Sequence, residues 1–526
     1  MSAGRARVAV AAPNDLAAAA GTRLAAEGGN AVDAALAAVL VTMVTEPGLV
    51  SLSSGGFLTI QPADGSIPVT VDGWVEMPGR GLGPERFGRG VHEVRTAYGG
   101  GTVMTVGHGS VATPGTLRAV DLVHRRFGQA PWADVLAPAV ESARAGFPLG
   151  HATHHYLEHV HLDIFGWHPD SFAVLHDADD QLFPRGATVV VPHLADSLEQ
   201  LVTHGVDAFY LGDVGRAIAD DMSDNDGLLT RADLEAYVAV EREALRVAQG
   251  GWRLATNPPP AAGGVAMASL LAMLDGRPAD GSWDDDELRH LVRSQYEALG
   301  AGVGRHEDED ARAAEGRRLL ARALGSASTA HVSVVGDDGG ACAVTVSSGY
   351  SSGVLSPGTG IWMNNCLGEH ELVLGGVHGL RPGTRLNSNM SPTVGRRDDD
   401  GAVLAIGTPG SDRIVTALAQ VLALHVNGGL SLVEAVAHPR LHVRVRDDED
   451  PPVLVDHEDD LPVPDNLGLP TRAMPAQSMY FGGVGAALWS PAESSSGSPG
   501  AGLIAAGDPR RSGAVAVSGQ RAAQSR

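Results

Sequence analysis

The chain is poor in positive charge, in cysteine and in long apolar runs, and each shortage excludes a class of protein. Among its 526 residues, 38 lysine and arginine residues stand against 62 aspartate and glutamate residues, for a formal net charge of -24. A nucleic-acid partner would need a basic surface to neutralise phosphates, so we expect none. The excess of acid is typical of a surface that keeps a globular protein in solution.

Two cysteines occur, Cys342 and Cys366. They are too few for a disulfide framework and no metal-binding pattern surrounds them, which favours unpaired thiols in a reducing compartment. The apolar run of residues 8–12 ends at Pro13 and Asn14 and is too short for a secretory signal. No stretch has the length of a membrane span. We therefore expect a cytoplasmic protein with no membrane partner.

The first half of the sequence predicts a strand followed by two helices. Residues 8–12 are typical of a buried strand, and Asn14 or Asp15 can cap a helix over residues 16–27 that ends at two glycines. Asn30 opens a second helix that is apolar on nearly every face and should be buried on several sides. Paired strands are predicted for residues 55–60 and 68–73, and helices dominate residues 115–145 and 212–239.

The second half changes character after residue 329. Residues 331–335 and 341–347 are rich in β-formers and flank an Asp-Asp-Gly-Gly turn, which predicts a hairpin. A strand is predicted for residues 403–406 and a helix for residues 412–426. The acidic segment 446–464 and the Ser/Gly/Pro segment 490–500 are predicted to be surface loops.

The segment 151–168 is rich in histidine and has two possible interpretations, which turn on His151, His154, His155, His159 and His161. They could bind a metal ion, but no carboxylate or cysteine pattern fixes a coordination geometry. A solvated helical surface is the favoured interpretation.

The most important boundary between the two halves of the chain lies near residues 305–329. The segment is charged and then small and polar, and it leads directly into the strand that begins at Thr329. An exposed loop that enters a buried strand is a plausible place for chain scission.

Several motifs occur in an order that resembles the gamma-glutamyltransferase family. They include EGGNAVDAALAA, NPPPAAGG, TAHVSVV, NMSPT, GTPGSDRI and GDPRR. The resemblance covers nearly the whole chain; its segments are residues 27–38, 46–58, 111–149, 207–219, 227–237, 257–264, 329–335, 356–365, 389–393, 407–414, 437–443 and 507–511.

The resemblance implies an α+β fold, the four-layer αββα sandwich of N-terminal nucleophile hydrolases. It also implies self-cleavage between Ser328 and Thr329 into a large chain, residues 1–328, and a small chain, residues 329–526, which remain folded together. The partner would be a small-molecule substrate. No cofactor is implied, and the mechanism needs no metal.

The resemblance makes Thr329 the nucleophile, and simple chemistry explains how it would work. A threonine hydroxyl needs a base, and the α-amine freed by scission supplies one within the same residue. An α-amine has a reference pKa of about 7.7–8.0, so it is partly neutral near neutral pH. Without the flanking motif, Thr329 would be an ordinary strand residue.

Two further features would complete the reaction centre. Ser347 occupies the place of a second family threonine that hydrogen-bonds the nucleophile; otherwise it is a polar strand end. Gly410 and Ser411 match the oxyanion loop, whose backbone N–H groups stabilise developing negative charge. The family usually has two glycines there, and a serine narrows the pocket and restricts positive φ.

The substrate-recognition residues depart from the family pattern. Val75 stands before Glu76 where the family has an arginine that clamps a carboxylate, a role valine cannot fill. The alternative is that Arg80, five residues away, performs the clamping. The amine-binding segment is also changed, and its substrate-binding candidates are Asn365, Glu369, Ser388 and Asn389.

These departures predict a changed substrate. The first hypothesis is a hydrolase or acyltransferase acting on a small acyl or keto-acyl compound rather than glutathione. One form of it is a carbon–carbon bond hydrolase in the biosynthesis of 4-alkylproline-type metabolites. The alternatives are a conventional γ-glutamyl hydrolase or transpeptidase, and a scaffold that binds a ligand without catalysis.

Overall fold

The computed structural model describes residues 6–96, 102–300, 329–369, 376–445, 451–464, 466–491 and 502–520. The segment predicted to contain the scission site, including Ser328, lies outside these ranges, as do residues 492–500 of the second predicted loop.

The strands form two large antiparallel sheets and several small ones. Sheet one has the order β22-β1-β11-β12-β2-β3-β8, and sheet two has the order β21-β20-β16-β15-β10-β9. The strands are β1 (Val8–Ala12), β2 (Gly55–Gln61), β3 (Val69–Gly73), β4 (His92–Thr96), β5 (Thr102–Val106), β6 (Phe147–Pro148), β7 (Thr188–Val189), β8 (Val240–Glu243), β9 (Leu245–Gln249), β10 (Trp252–Thr256), β11 (Thr329–Gly336), β12 (Ala341–Ser347), β13 (Leu355–Ser356), β14 (Ile361–Trp362), β15 (Thr393–Arg397), β16 (Val403–Gly407), β17 (Leu441–Val445), β18 (Val453–Glu458), β19 (Thr471–Met474), β20 (Gly485–Trp489), β21 (Leu503–Gly507) and β22 (Ala514–Val517).

Helices cover the outer faces of the two sheets. One apolar cluster joins α1, α2 and α3 to sheet one, and another joins α11, α12 and α13 to sheet two. The helices are α1 (Asp15–Ala26), α2 (Ala31–Thr45), α3 (Thr116–Phe127), α4 (Trp132–Ala145), α5 (His151–Val160), α6 (Pro169–Leu175), α7 (Leu194–His204), α8 (Asp207–Tyr210), α9 (Asp213–Asp224), α10 (Arg231–Ala236), α11 (Gly263–Met273), α12 (Asp285–Gly300), α13 (Ile414–Leu422) and α14 (Leu432–Ala437). The four-layer αββα prediction is confirmed.

The first two helices begin where their capping residues predict. The Asn14 side chain accepts a hydrogen bond from the Ala17 N–H at the start of α1. Asn30 and Asp33 form a reciprocal capping box at the start of α2. All 15 residues of α2 are buried, which explains why the helix has no polar face.

The predicted hairpin is confirmed as the centre of sheet one. Strands β11 and β12 pair along seven residues, from Thr329 opposite Ser347 to Val335 opposite Ala341. Because side chains alternate along a strand, Thr329, His331 and Ser333 share the face that looks toward sheet two. Small apolar residues fill the far end of this inter-sheet layer, among them Ala9, Val335, Ala343, Val403 and Ala405. The end near Thr329 is polar instead.

The prediction of a surface loop for residues 446–464 is wrong for residues 453–458, which form β18, while residues 446–450 lie outside the described ranges. Strand β18 lies between β17 and β19, and its Asp456 and Glu458 are buried. Asp456 accepts hydrogen bonds from Arg472 Nε at 2.7 Å and from the Tyr480 hydroxyl at 2.5 Å. Acidic residues can enter the interior here because distant segments supply their partners.

Candidate active site

The predicted nucleophile and its neighbour lie side by side at the ends of two paired strands. Thr329 begins β11, Ser347 ends β12, and the two are Cα partners. Both are buried. Among the described residues the Thr329 Oγ1 has no hydrogen-bond partner, whereas Ser347 Oγ accepts from the Gly349 N–H at 3.1 Å. A buried hydroxyl without a partner is destabilising, which is typical of a group kept available for reaction.

His331 lies two residues beyond Thr329 in β11, and its hydrogen bonds hold the imidazole in one tautomer. The Ser333 hydroxyl donates to the Gly485 carbonyl at 3.1 Å, so Ser333 Oγ accepts from His331 Nε2 at 2.7 Å. The other ring nitrogen, Nδ1, then accepts from the Thr345 hydroxyl at 2.8 Å. Complete burial lowers the His331 pKa to about 3. The imidazole is therefore neutral at physiological pH.

A cavity of about 40 Å³ lies against Thr329. It is bounded by strand ends from both sheets, by the end of α2 and by the turn after β21. Its lining residues are Ala12, Pro13, Glu46, Leu49, Ala152, Thr329, Ala330, His331, Pro409, Gly483, Val484, Gly485, Gly507, Asp508, Arg511 and Gly513.

The oxyanion-loop candidates follow β16, next to this cavity. Gly410 has a φ of 142° and Ser411 a φ of 61°. A left-handed conformation costs a non-glycine residue about 1–2 kcal/mol, so the surrounding structure must hold it. The Asn389 amide supplies one restraint, because its Nδ2 donates to the Ser411 carbonyl at 2.5 Å. Ser411 thus adopts a positive φ despite its side chain.

Of the remaining predicted binding residues, Asn365 and Glu369 contact the chain just after β12, whereas Ser388 lies beside the start of α11. Asn365 Oδ1 accepts from the Tyr350 N–H at 2.5 Å, and its Nδ2 donates to the Thr105 carbonyl at 3.3 Å. A Cβ at Gly349 would lie 2.7 Å from Glu369 Oε1, so the Glu369 carboxyl packs directly on that backbone. Ser388 is buried, and its Oγ accepts from the Met390 N–H at 3.2 Å.

The position of the missing carboxylate clamp is apolar. Val75 is fully buried in a cluster with Phe57 and Trp74, whose rings stack with centroids 6.1 Å apart. Trp74 is further fixed by its indole N–H, which donates to the Asn387 carbonyl at 2.9 Å.

Two arginines approach this region, and both are engaged by protein groups. Arg80 pairs with Glu76 at 3.1 Å and with Asp233 at 3.4 Å. Arg385 donates to the Trp74 carbonyl and the Tyr237 hydroxyl and lies 3.6 Å from Glu76. Neither arginine is positioned as an uncommitted clamp.

Sequence reasoning missed Glu46 and Arg385. Glu46 ends the apolar helix α2, and a single carboxylate after an all-apolar run was the available signal. Its side chain is buried against the cavity. Arg385 carried no signal, because its partners come from segments more than 140 residues away in sequence.

The histidine-rich segment forms α5 and a following π-turn, His161–Phe165. The prediction of a solvated surface holds only for part of it, because Tyr156 and Phe165 are buried and the histidines are half-buried. The rings of His151 and His155 stack with centroids 6.5 Å apart, and those of His155 and His159 meet edge to face with centroids 4.9 Å apart. Within the described ranges, no group of three or more His, Cys, Asp or Glu residues could hold a metal ion.

Across the part of the chain that the structure describes, no helix combines the length and the hydropathy needed to cross a bilayer.

Known proteins share both the sequence and the fold. A glutathione hydrolase proenzyme of Escherichia coli (strain K12) is 29% identical over 470 residues, covering 82% of this chain and 80% of that protein. An acylase ACY 1 proenzyme of Pseudomonas sp. (strain V22) is 30% identical over 465 residues, covering 81% and 80%. The crystal structure of cephalosporin acylase from Bacillus halodurans has the same fold, with a TM-score of 0.77 at 23% identity over 97% of this chain and 96% of that one.

The layered sheets, with a threonine at the start of the central hairpin, define an N-terminal nucleophile hydrolase. A sequence profile of the gamma-glutamyltranspeptidase family matches residues 17–321 and 305–518. The chain therefore belongs to that family, and it is an enzyme of the hydrolase and acyltransferase class.

Proposed function

We propose that this enzyme cuts itself between Ser328 and Thr329 and then uses Thr329 to hydrolyse a small acyl compound that is not a γ-glutamyl compound. The large chain would comprise residues 1–328 and the small chain residues 329–526. The Thr329 hydroxyl is buried and has no hydrogen-bond partner among the residues that the structure describes, and Thr329 occupies the first position of β11; both observations support these roles.

In the proposed reaction, the α-amine of Thr329 takes the proton from Oγ1 as Oγ1 bonds to the acyl carbon. Negative charge on the acyl oxygen is stabilised by the backbone N–H groups of Gly410 and Ser411. The amine proton then passes to the leaving nitrogen as its bond to carbon breaks. Water then attacks the acyl carbon by the same steps, the bond between that carbon and Oγ1 breaks, and Thr329 is restored.

Neighbouring residues hold these groups in place. Ser347 is proposed to hydrogen-bond the nucleophile from the adjacent strand, and Asn389 to brace the oxyanion loop through its bond to Ser411. Asn365, Glu369 and Ser388 are proposed to shape the wall that receives the substrate.

The observation that carries the substrate proposal is the apolar environment of Val75. A γ-glutamyl carboxylate entering there would be desolvated without a cation, which is strongly unfavourable. Arg80 and Arg385 cannot compensate without giving up their carboxylate partners. The stacked Phe57 and Trp74 instead suit an apolar or aromatic acyl group.

The experiment compares kcat/KM for butyryl-, phenylacetyl- and γ-glutamyl-4-nitroanilide. We expect the two apolar substrates to exceed the γ-glutamyl compound by about 10- to 150-fold, since a lost charge-assisted clamp is worth roughly 1.5–3 kcal/mol. Thr329→Ala should abolish every activity. A dominant γ-glutamyl activity would contradict the proposal.

Arg80→Met is the matched control for the clamp. It should leave the substrate preference unchanged, whereas a selective rise in KM for the γ-glutamyl substrate would assign the clamp to Arg80. A third arm of the experiment uses a substrate with a carbon–carbon bond next to a keto acid. Hydrolysis of that bond would extend the acyl chemistry to carbon–carbon cleavage.

A further inference from the structure

Self-scission lacks the base that the finished enzyme uses. Before the Ser328–Thr329 bond is cut, the nitrogen of Thr329 belongs to an amide and its lone pair is delocalised. It cannot take the proton from Oγ1. Another group near Thr329 must accept that proton and later return it to the nitrogen.

Four ionisable side chains line the cavity beside Thr329 in the described part of the chain: Glu46, His331, Asp508 and Arg511. Arg511 is a cation. Asp508 forms ion pairs with two arginines, at 2.8 and 3.1 Å. Both ring nitrogens of His331 are hydrogen-bonded to hydroxyls, and burial lowers its pKa to about 3. Glu46 remains.

The Glu46 carboxyl is fixed from two sides. Asn14 Nδ2 donates to its Oε1 at 2.6 Å, and the Thr153 hydroxyl donates to its Oε2 at 2.5 Å. Asn14 lies two residues after the end of β1, the strand that pairs with β11. These contacts hold the carboxyl against the cavity that Thr329 also borders.

The placement of this carboxyl is unfavourable for stability. Glu46 is the C-terminal cap of α2, where the helix dipole disfavours negative charge. Burial raises its pKa, and the hydrogen bonds from Thr153 and Asn14 and the charge of Arg511 lower it only in part. A carboxyl whose pKa is shifted toward neutral pH can both accept and return a proton.

We propose that Glu46 is the proton carrier for self-scission, an inference that rests on the proposed cut at Thr329. The carboxylate takes the Oγ1 proton while Oγ1 bonds to the carbonyl carbon of Ser328. The carbon–nitrogen bond then breaks as Glu46 returns the proton to the Thr329 nitrogen. Water hydrolyses the resulting ester, which leaves a carboxylate on Ser328, a free α-amine on Thr329 and Glu46 as it began.

The cavity also provides a path for the proton. Its volume of about 40 Å³ has room for roughly three water molecules, each of which needs at least about 10–15 Å³ on this measure. A proton can therefore pass between Glu46 and Thr329 directly or through water held in this cavity.

The test makes the chain by cell-free synthesis and transfers it at once to buffers from pH 8.5 down to the lowest pH at which it stays folded, with intact mass spectrometry to quantify the small chain that starts at Thr329. In the wild type the rate should rise with pH through the raised Glu46 pKa. Glu46→Gln keeps the volume and can keep both contacts, because its amide can accept from Asn14 and donate to Thr153. It should slow scission at least about 30-fold and flatten the pH profile.

A second variant keeps the test decisive if Glu46→Gln folds poorly. Thr153→Val is isosteric and removes a hydrogen bond that lowers the Glu46 pKa, so the rising limb of the scission profile should move to higher pH. The other ionisable side chains at the same cavity, His331, Asp508 and Arg511, are unchanged in it.

The matched control is Glu158→Gln on the exposed side of α5, which should cut like the wild type. Wild-type speed and pH profile in Glu46→Gln, or an unmoved profile in Thr153→Val, would overturn the role of Glu46. Failure of the proposed function looks different, because the wild type itself would then give no chain starting at Thr329.

Discussion

The buried neutral imidazole of His331 should make the protein acid-sensitive in a defined pH range. Its folded pKa of about 3 lies below the reference value of 6.5. Unfolding at low pH therefore lets the ring take up a proton that the folded state excludes. This contribution is absent above the unfolded pKa and destabilises the fold progressively as the pH falls from about 6.5 toward 3.

The magnitude follows from the two pKa values. At pH 5 the unfolded ring is about 1.5 pH units below its pKa, and one unit corresponds to about 1.4 kcal/mol, so the penalty is about 2 kcal/mol. At pH 7.5 it is about zero. For a chain of this size, 2 kcal/mol corresponds to a shift of about 2 °C in Tm.

The assay measures Tm at pH 7.5 and pH 5 for Thr329→Ala, expected to remain one chain, with and without His331→Gln. Glutamine can bond Thr345 and Ser333 but does not titrate in this range. The protein with His331 should lose about 2 °C more than the glutamine variant when the pH falls. Equal losses in both proteins would refute a buried neutral imidazole at this position.

Three further predictions use the same uncut background or steady-state kinetics. Gly407→Ala should lower stability by about 1–3 kcal/mol, because a Cβ there would collide with the His331 ring; an unchanged Tm would contradict this packing. Glu458→Gln should cost about 3–5 kcal/mol by leaving the buried Arg510 guanidinium with a broken ion pair; a change below 1 kcal/mol in thermal unfolding would count against it. Asn389→Ala should lower kcat by about 10- to 100-fold by loosening the oxyanion loop, and wild-type kcat would show that the loop needs no such restraint.

Local signals in the sequence were enough to predict several helices and strands, whereas the four-layer sandwich was implied by the family resemblance. Asn14 and Asn30 cap the helices that follow them, and the Asp-Asp-Gly-Gly turn joins β11 to β12 as expected. Each of these features depends on residues within a few positions of one another. The pairing of Thr329 with Ser347 then follows from the hairpin itself.

The interpretations that failed depend on partners far apart in the sequence. The acidic residues of β18 indicated a solvated loop, but Asp456 and Glu458 are neutralised by Arg472 and Arg510. The role proposed for Glu46 likewise could not be inferred from the sequence, because Glu46 and Thr329 line the same cavity only in the folded chain. Charge pattern alone cannot distinguish a solvated carboxylate from one that is buried and paired.

The central claim is that a cut before Thr329 creates the catalytic amine. Mass spectrometry and N-terminal sequencing of active enzyme test it most directly. We predict two chains, the smaller beginning at Thr329, with activity proportional to the amount of that chain. Full activity from an intact 526-residue polypeptide would contradict the account.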